Sequence, residues 1–226
     1  GNQEIVNDQT YSFTDRGGRD VTVRTEMTPS VSRMVAGRRQ ELGYPLRWYS
    51  IPELWRYERT QRGRLRQFWQ LNADIFGVEG LEADHEIIAL ADAILKALGA
   101  KEKMFTIHID HRGLTDLLFR DYFGLDEMRA AELVRLVDRR AKMSEESFVT
   151  AAAEILAAAS NVPNPVESLQ KLLAVQYISD IPTEFLDTKP VQELRKLDAM
   201  LAASGVTSVQ FDMTLMRGFD YYTGIV

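Results

Sequence analysis

Cysteine does not occur anywhere in the 226 residues. Its absence excludes disulfides, thiolate zinc sites and a cysteine nucleophile, and it leaves no reason to invoke an oxidising compartment. The expected location is cytoplasmic. No apolar run approaches the roughly 18 residues of a membrane span. The opening "GNQEIVNDQTYSF" has neither a basic head nor an apolar stretch, so it does not read as a signal peptide. Positive charge is also short: 27 Lys and Arg face 33 Asp and Glu, a formal net charge of −6. Proteins that hold nucleic acid by general attraction are usually basic, so any such contact here has to be local. There is no P-loop, no GxGxxG and no GxSxG.

What is present is an ordinary globular composition, 45% hydrophobic and 27% charged. It suffices for one large domain, or one domain with a smaller insert. "TYSFTD" and "RDVTVRTE" alternate around Gly17-Gly18 and predict a hairpin. At "TEMTPSV" the period changes. Thr28 predicts an N-cap and Pro29 a first helical position, for a helix running to about Leu42 and ended by Gly43-Tyr44-Pro45. "LRWYSIPELWRYE" and "RQFWQLNADIFG" predict the arms of a long hairpin with its tip around Gly63. After Gly80, "ADHEIIALADAILKAL" predicts a helix and "MFTIHID" a strand. From about Gly113 to Lys189 the chain reads as helices separated by short breaks. This predicts a helical insertion over 113–189 within a core made of 1–112 and 190–226. "VQELRKLDAMLAAS" predicts a further helix, and "VTSVQFDMTLM" and "MRGFDYYTGIV" return to strand. The expected class is α+β, around a mainly antiparallel sheet.

Two segments carry chemistry. "RYERTQRGRLR", Arg56 to Arg66, holds five arginines against one glutamate. Arg without Lys favours bidentate contacts to phosphate or carboxylate, whereas a solvated charge run normally mixes Lys and Glu. In the following strand Trp69, Leu71, Ala73 and Ile75 fall on one face. Gln70, Asn72 and Asp74 fall on the other, between Phe68 and Phe76. That polar face suits either the solvent side of a sheet or the floor of a ligand site. Gln70 and Asp74 are roughly 13 Å apart by strand rise, the span of a small polar molecule and its contacts.

Two fragments imitate other sites. "HIDH" (His108 to His111) and "KMSEE" (Lys142 to Glu146) resemble the HIGH and KMSKS signatures of class I aminoacyl-tRNA synthetases. They lie too close together to assemble a Rossmann domain between them. As metal ligands, His108 and His111 suit neither helix spacing nor a zinc pattern, and no protein-bound metal is expected. A partly buried histidine at a strand end is the plainer reading.

Taken together, "RWYSIPELWRYERTQRGRLRQFWQLNADIFG" resembles motif 2 of class II aminoacyl-tRNA synthetases in its histidyl form. "VTVRTEMTPSVSRMVA" resembles the histidine-binding segment that precedes it, with Thr25 where the family usually has proline. "MRGFDYYTGIV" resembles the family's histidyl-specific motif. The likeness runs from about Tyr11 to Val226, with the motifs in order.

The resemblance implies an enzyme that activates histidine with ATP and esterifies histidine tRNA. Arg56 is then implied at the α-phosphate and the histidine carboxylate, and Arg217 at the α-phosphate in place of a metal. Glu58 and Phe68 are implied at adenine and Arg64 at the γ-phosphate, with Mg2+ on the β- and γ-phosphates. Glu26, Thr28 and Gln70 are implied at the α-ammonium group, Asp74 and Tyr222 at the imidazole, and Tyr221 beside it in the substrate site. Strict alternation puts Arg217 and Tyr222 on opposite faces, so either a bulge at Gly218 resets the phase or the strand begins after it. The implied partners are histidine, ATP, histidine tRNA with its acceptor stem near the helical insertion, and a second copy in a homodimer. The segment lacks the family's motif 1, motif 3 and anticodon-binding domain, so a central fragment of the catalytic domain is expected, and stand-alone activity is open. The competing expectation is the histidine-binding regulatory subunit of ATP phosphoribosyltransferase, which shares the fold without charging tRNA.

Overall fold

A computed structural model describes residues 9–101, 103–216 and 222–226. The chain forms two compact units, one ending at Ala83 and the other beginning at Asp84. The fold mixes helices with small sheets, as expected. Among the described residues the strands form four two-stranded ladders, three antiparallel and one parallel.

The first unit begins with the expected hairpin, β1 (Ser12–Thr14) against β2 (Asp20–Thr22). Gly18 takes φ +76° in its turn, a conformation that costs glycine little. Arg19 ties this turn together. Asp15 pairs with Arg19 at 2.7 Å and also accepts from the Gly17 and Arg19 amides. Helix α1 (Thr28–Arg38) follows, with Pro29 in its first turn. Thr28 is not its cap. Met27 occupies that position with no side-chain cap bond, and the Thr28 hydroxyl is engaged elsewhere. The helix also stops short of Leu42, at Arg38, where its apolar spacing runs out.

The long hairpin is the scaffold of the unit. Its arms are β3 (Leu46–Ser50) with β6 (Asn72–Phe76), and β4 (Glu53–Trp55) with β5 (Gln67–Trp69). The two ladders keep one register, and Gln70 donates to Pro52 O and Arg56 to Arg66 O through the gaps. At the tip Gln61 bridges Arg64 across Gly63, which takes φ +78°. Trp55 donates to Arg24 O, so the chain after β2 runs along the edge of β4.

The second unit is held by a helical core. Helix α2 (Leu81–Ala97) leads to β7 (Ile107–Ile109), which pairs parallel with β8 (Val209–Phe211). Between them run α3 (Arg112–Asp116), a π-helical turn at Leu117–Tyr122, α4 (Glu127–Asp138), α5 (Glu145–Leu156), α6 (Pro165–Leu173) and α7 (Lys189–Ala203). Phe119, Phe123, Phe148, Leu133, Leu169 and Leu197 are fully buried there. Residues 224–226 pair antiparallel with 110–112. No helix among the described residues is long and apolar enough to cross a membrane.

Both imitation motifs resolve into local structure. Ser144 of "KMSEE" caps α5 by accepting from the Ser147 amide at 3.2 Å, with Glu145 and Glu146 in the first turn facing the positive end of the helix dipole. His111 of "HIDH" caps α3. Its Nδ1 accepts from the Gly113 amide at 3.0 Å, so the proton lies on Nε2, which is 2.8 Å from Glu193 Oε2. His111 is buried, whereas His108 is half-exposed beside Asp212 at 3.2 Å. Among the described residues no cluster of His, Cys, Asp or Glu could hold a metal.

Candidate functional site

The hairpin is inverted relative to an ordinary surface hairpin. An amphipathic strand normally turns its apolar face to the core. Here Tyr49 is 77% exposed, Ile51 56%, Trp69 70% and Leu71 44%. The opposite face carries Gln70, Asn72 and Asp74, of which Asn72 is buried and the other two are half-buried. The polar face is therefore the sheltered one.

Shelter requires satisfied hydrogen bonds, and the side chains supply them to one another. Gln70 Nε2 donates to Asn72 Oδ1 at 2.8 Å. Asn72 Nδ2 donates to Thr28 Oγ1 at 3.0 Å. Thr28 Oγ1 donates to Asp74 Oδ1 at 3.2 Å. The start of α1 is thereby tied to β6. Glu26, two residues before Thr28, is half-buried. Three sequence-predicted residues, Thr28, Gln70 and Asp74, thus belong to one chain of bonds. Asn72 joins them and Ser50 stands directly opposite it across the ladder. Ser50 Oγ is buried with no hydrogen-bond partner among the described residues. Sequence reasoning assigned no role to either, although Asn72 shares the alternation that singled out its neighbours.

Towards the tip the face becomes cationic and aromatic. The Arg56 guanidinium lies 5.3 Å from the centroid of the Phe68 ring, and its Nε donates to Thr25 O at 3.1 Å. That backbone contact fixes the guanidinium without neutralising it. Arg64 pairs with Glu58, and this carboxylate raises the pKa of Arg64 further. Arg66 donates to Glu58 O at 3.0 Å and stacks on Tyr57 at 4.4 Å. The predicted ATP residues Glu58, Arg64, Phe68 and Arg56 are thus neighbours at one end of the face. Glu58 and Arg64 engage each other, so a nucleotide would have to exchange that pair for its own contacts.

Arg217 and Tyr221, and the proposed bulge at Gly218, lie outside the described residues. Tyr222 is 43% exposed in the second unit. That unit also holds a cavity of about 460 Å³ lined by residues including Phe105, Tyr177, Asp198 and Gln210. None of the sequence-predicted residues lines it, and its walls mix apolar side chains with Lys96, Lys103 and Asp198.

The family profile described as histidyl-tRNA synthetase matches residues 1–226, so the chain belongs to that family. It is 37% identical over 230 residues to the histidine–tRNA ligase of Leptospira biflexa, covering 99% of this chain and 51% of that protein. It is 40% identical over 226 residues to the histidine–tRNA ligase of Opitutus terrae, covering 96% and 51%. A solved structure from Bacillus halodurans, described as an ATP phosphoribosyltransferase regulatory subunit/histidyl-tRNA synthetase, is similar at a TM-score of 0.79 and 29% identity. It covers 97% of this chain and 56% of that one. The chain spans about half the length of the curated relatives it matches.

Proposed function

We propose that this chain carries the amino-acid and ATP-binding part of an enzyme that converts histidine to histidyl-adenylate and passes it to histidine tRNA. The observation that supports this is the sheltered polar row of the hairpin, which runs from the arginine tip to Asp74. Along it the groups fall in the order the reaction needs. Glu58, Arg64 and Phe68 serve ATP at the tip, through adenine and the γ-phosphate. Arg56 comes next, a fixed cation able to touch both the α-phosphate and a carboxylate. Gln70, with Glu26 and Thr28, serves the α-ammonium group. Asp74 is the acceptor for an imidazole N–H.

In this reading a carboxylate oxygen of histidine attacks the α-phosphorus in line. The bond from that phosphorus to the bridging oxygen breaks, and pyrophosphate leaves. No protein nucleophile is needed, so the protein contributes alignment and stabilisation of charge. Arg56 holds the carboxylate against the phosphate and meets the charge that grows there. On the motif resemblance, Arg217 supplies a second cation, and Tyr221 and Tyr222 serve the substrate. Mg2+ accompanying ATP would supply positive charge to the β- and γ-phosphates, beside Arg64. The helical stretch 113–189 is proposed as the insertion that meets the tRNA acceptor stem, and the working enzyme as a cytoplasmic homodimer.

A second reading is favoured by the Bacillus halodurans relative, whose description covers a regulatory subunit as well as a synthetase. In that case histidine binds but is not activated. The two separate in one pair of assays, histidine binding by calorimetry and histidine-dependent ATP–pyrophosphate exchange, run on the full-length parent as well as on this chain, with the parent deciding. Binding with exchange supports the synthetase. Binding without exchange supports the regulatory subunit. Absence of histidine binding sinks both.

A further inference from the structure

We propose that Asn72 is a positioning residue that sets the direction of the hydrogen-bond chain across the amino-acid pocket, an inference that rests on the pocket reading above. The direction follows from which atoms are able to donate. An ionised Asp74 only accepts, so the single hydrogen of Thr28 must point to Asp74 Oδ1 at 3.2 Å. Thr28 Oγ1 then accepts from its other neighbour. That neighbour must be an N–H, so Asn72 presents Nδ2 to it at 3.0 Å. The amide of Asn72 is thereby oriented, with Oδ1 turned to Gln70. Gln70 must answer with Nε2, at 2.8 Å. Its carbonyl Oε1 is left as the acceptor, the kind of atom that an α-ammonium group needs.

The chain thus couples the two ends of the pocket. The carboxylate that accepts from the imidazole also determines that Gln70 offers an oxygen to the ammonium group. Only a side chain that accepts at one end and donates at the other can transmit this. Aspartate in place of Asn72 could not donate to Thr28, and leucine could do neither. The Ser50 hydroxyl, opposite Asn72, makes no hydrogen bond among the described residues, so it diverts neither end of the amide. Burial of Asn72 keeps bulk water from replacing the relay.

The test is titration of the full chain with L-histidine by calorimetry, alongside ATP binding and thermal melting. The proteins are the unaltered one, Asn72→Leu, Thr28→Val, Asp74→Asn, and Asn72→Leu combined with Asp74→Asn. Loss of the relay leaves buried polar partners unpaired, so Asn72→Leu should weaken histidine about tenfold while ATP affinity stays within about twofold. Because both changes cut one chain, the double variant should lose less than the product of the single losses. A residue that only stabilised the fold would shift melting and give independent effects. Histidine affinity within about twofold of the unaltered protein, or single losses that multiply, would overturn the proposal. If Asn72→Leu does not fold, Thr28→Val breaks the same chain from the helix side and carries the same criteria. An unaltered protein that binds no histidine overturns the pocket reading, and this inference with it. Normal binding that Asn72→Leu leaves untouched overturns this inference alone.

Discussion

Replacing Asp110 with Asn should make the protein more stable, and by an amount that depends on pH. Asp110 follows β7 and is fully buried. Thr115 donates to its Oδ2 at 3.1 Å, while Oδ1 is buried with no partner among the described residues. Burial pushes its pKa from 3.8 up to about 7. Asp212 pushes the same way, against the His111 amide, Thr115 and Arg112, which favour the ionised form. The folded carboxyl thus keeps its proton to about pH 7, whereas the unfolded one releases it near pH 4. Between those values the folded state binds more protons than the unfolded state, so stability falls as pH rises. Below the window both states are protonated, and above it both are ionised and the penalty is constant. The rise from the ordinary value to about 7 amounts to about 4 kcal/mol. Asn is neutral throughout and still accepts from Thr115. Urea denaturation of the protein and of Asp110→Asn at steps from pH 4 to 8 reads the difference, since other titrating groups are common to both and cancel. The curves should coincide near pH 4 and separate in favour of the variant up to about pH 7. A difference that does not vary with pH, or a variant less stable at pH 8, would refute the reasoning.

Three further outcomes follow from the geometry. Arg56→Lys keeps the charge but loses the planar fork beside Phe68, so ATP–pyrophosphate exchange should fall about 100-fold with thermal melting little changed. Exchange close to the parental rate would remove Arg56 from the centre of the site. Asp126→Ala deletes the bond to the Arg129 amide at 2.8 Å that caps α4, and should cost about 1 kcal/mol in urea denaturation. Among the described residues of the first unit the buried apolar side chains are Val31, Val35 and Leu54, against a large cluster in the second. Backbone amides of α1 and β3 should therefore exchange with deuterium sooner than those of α4 and α7, and equal protection would contradict this.

Much of this architecture is legible in the residues because it is local. Alternation marks the arms of the long hairpin, and helical spacing marks α2 and α7 to within a few residues. The gap lies in what side chains do across the fold. Thr28 ahead of Pro29 has the pattern of a cap, yet a hydroxyl takes the stronger partner available, and the Asp74 carboxylate reaches it from 46 positions away. His111 has the look of a signature histidine, and its local use as a cap shows only once Gly113 turns back onto Nδ1. Asn72 was visible as one of three polar residues on a face, but its place as the link depends on α1 packing there. The segment Arg217 to Tyr221, which belongs to one of the three motifs that carry the sequence resemblance, lies outside the described residues.

The inversion of the hairpin ties these observations together. Left to the hydrophobic effect alone, the arms would bury Tyr49, Ile51, Trp69 and Leu71 and expose Gln70, Asn72 and Asp74. Turning the whole hairpin over would achieve that, whereas a one-residue slip between its arms would exchange the faces of one arm only. The hairpin does not turn over, because Leu46 lies against Phe76 and Leu54 against Phe68 on the sheltered side. Those two apolar pairs bracket the polar row and would be exposed if it did. The row itself is tolerable in shelter only because Gln70, Asn72, Thr28 and Asp74 satisfy one another in sequence. Departures from the local pattern concentrate where function demands them. A hairpin that shelters its polar face, with four apolar side chains exposed on the other, is the observation on which the proposed amino-acid pocket rests, since fixed donors and acceptors are what a polar ligand requires.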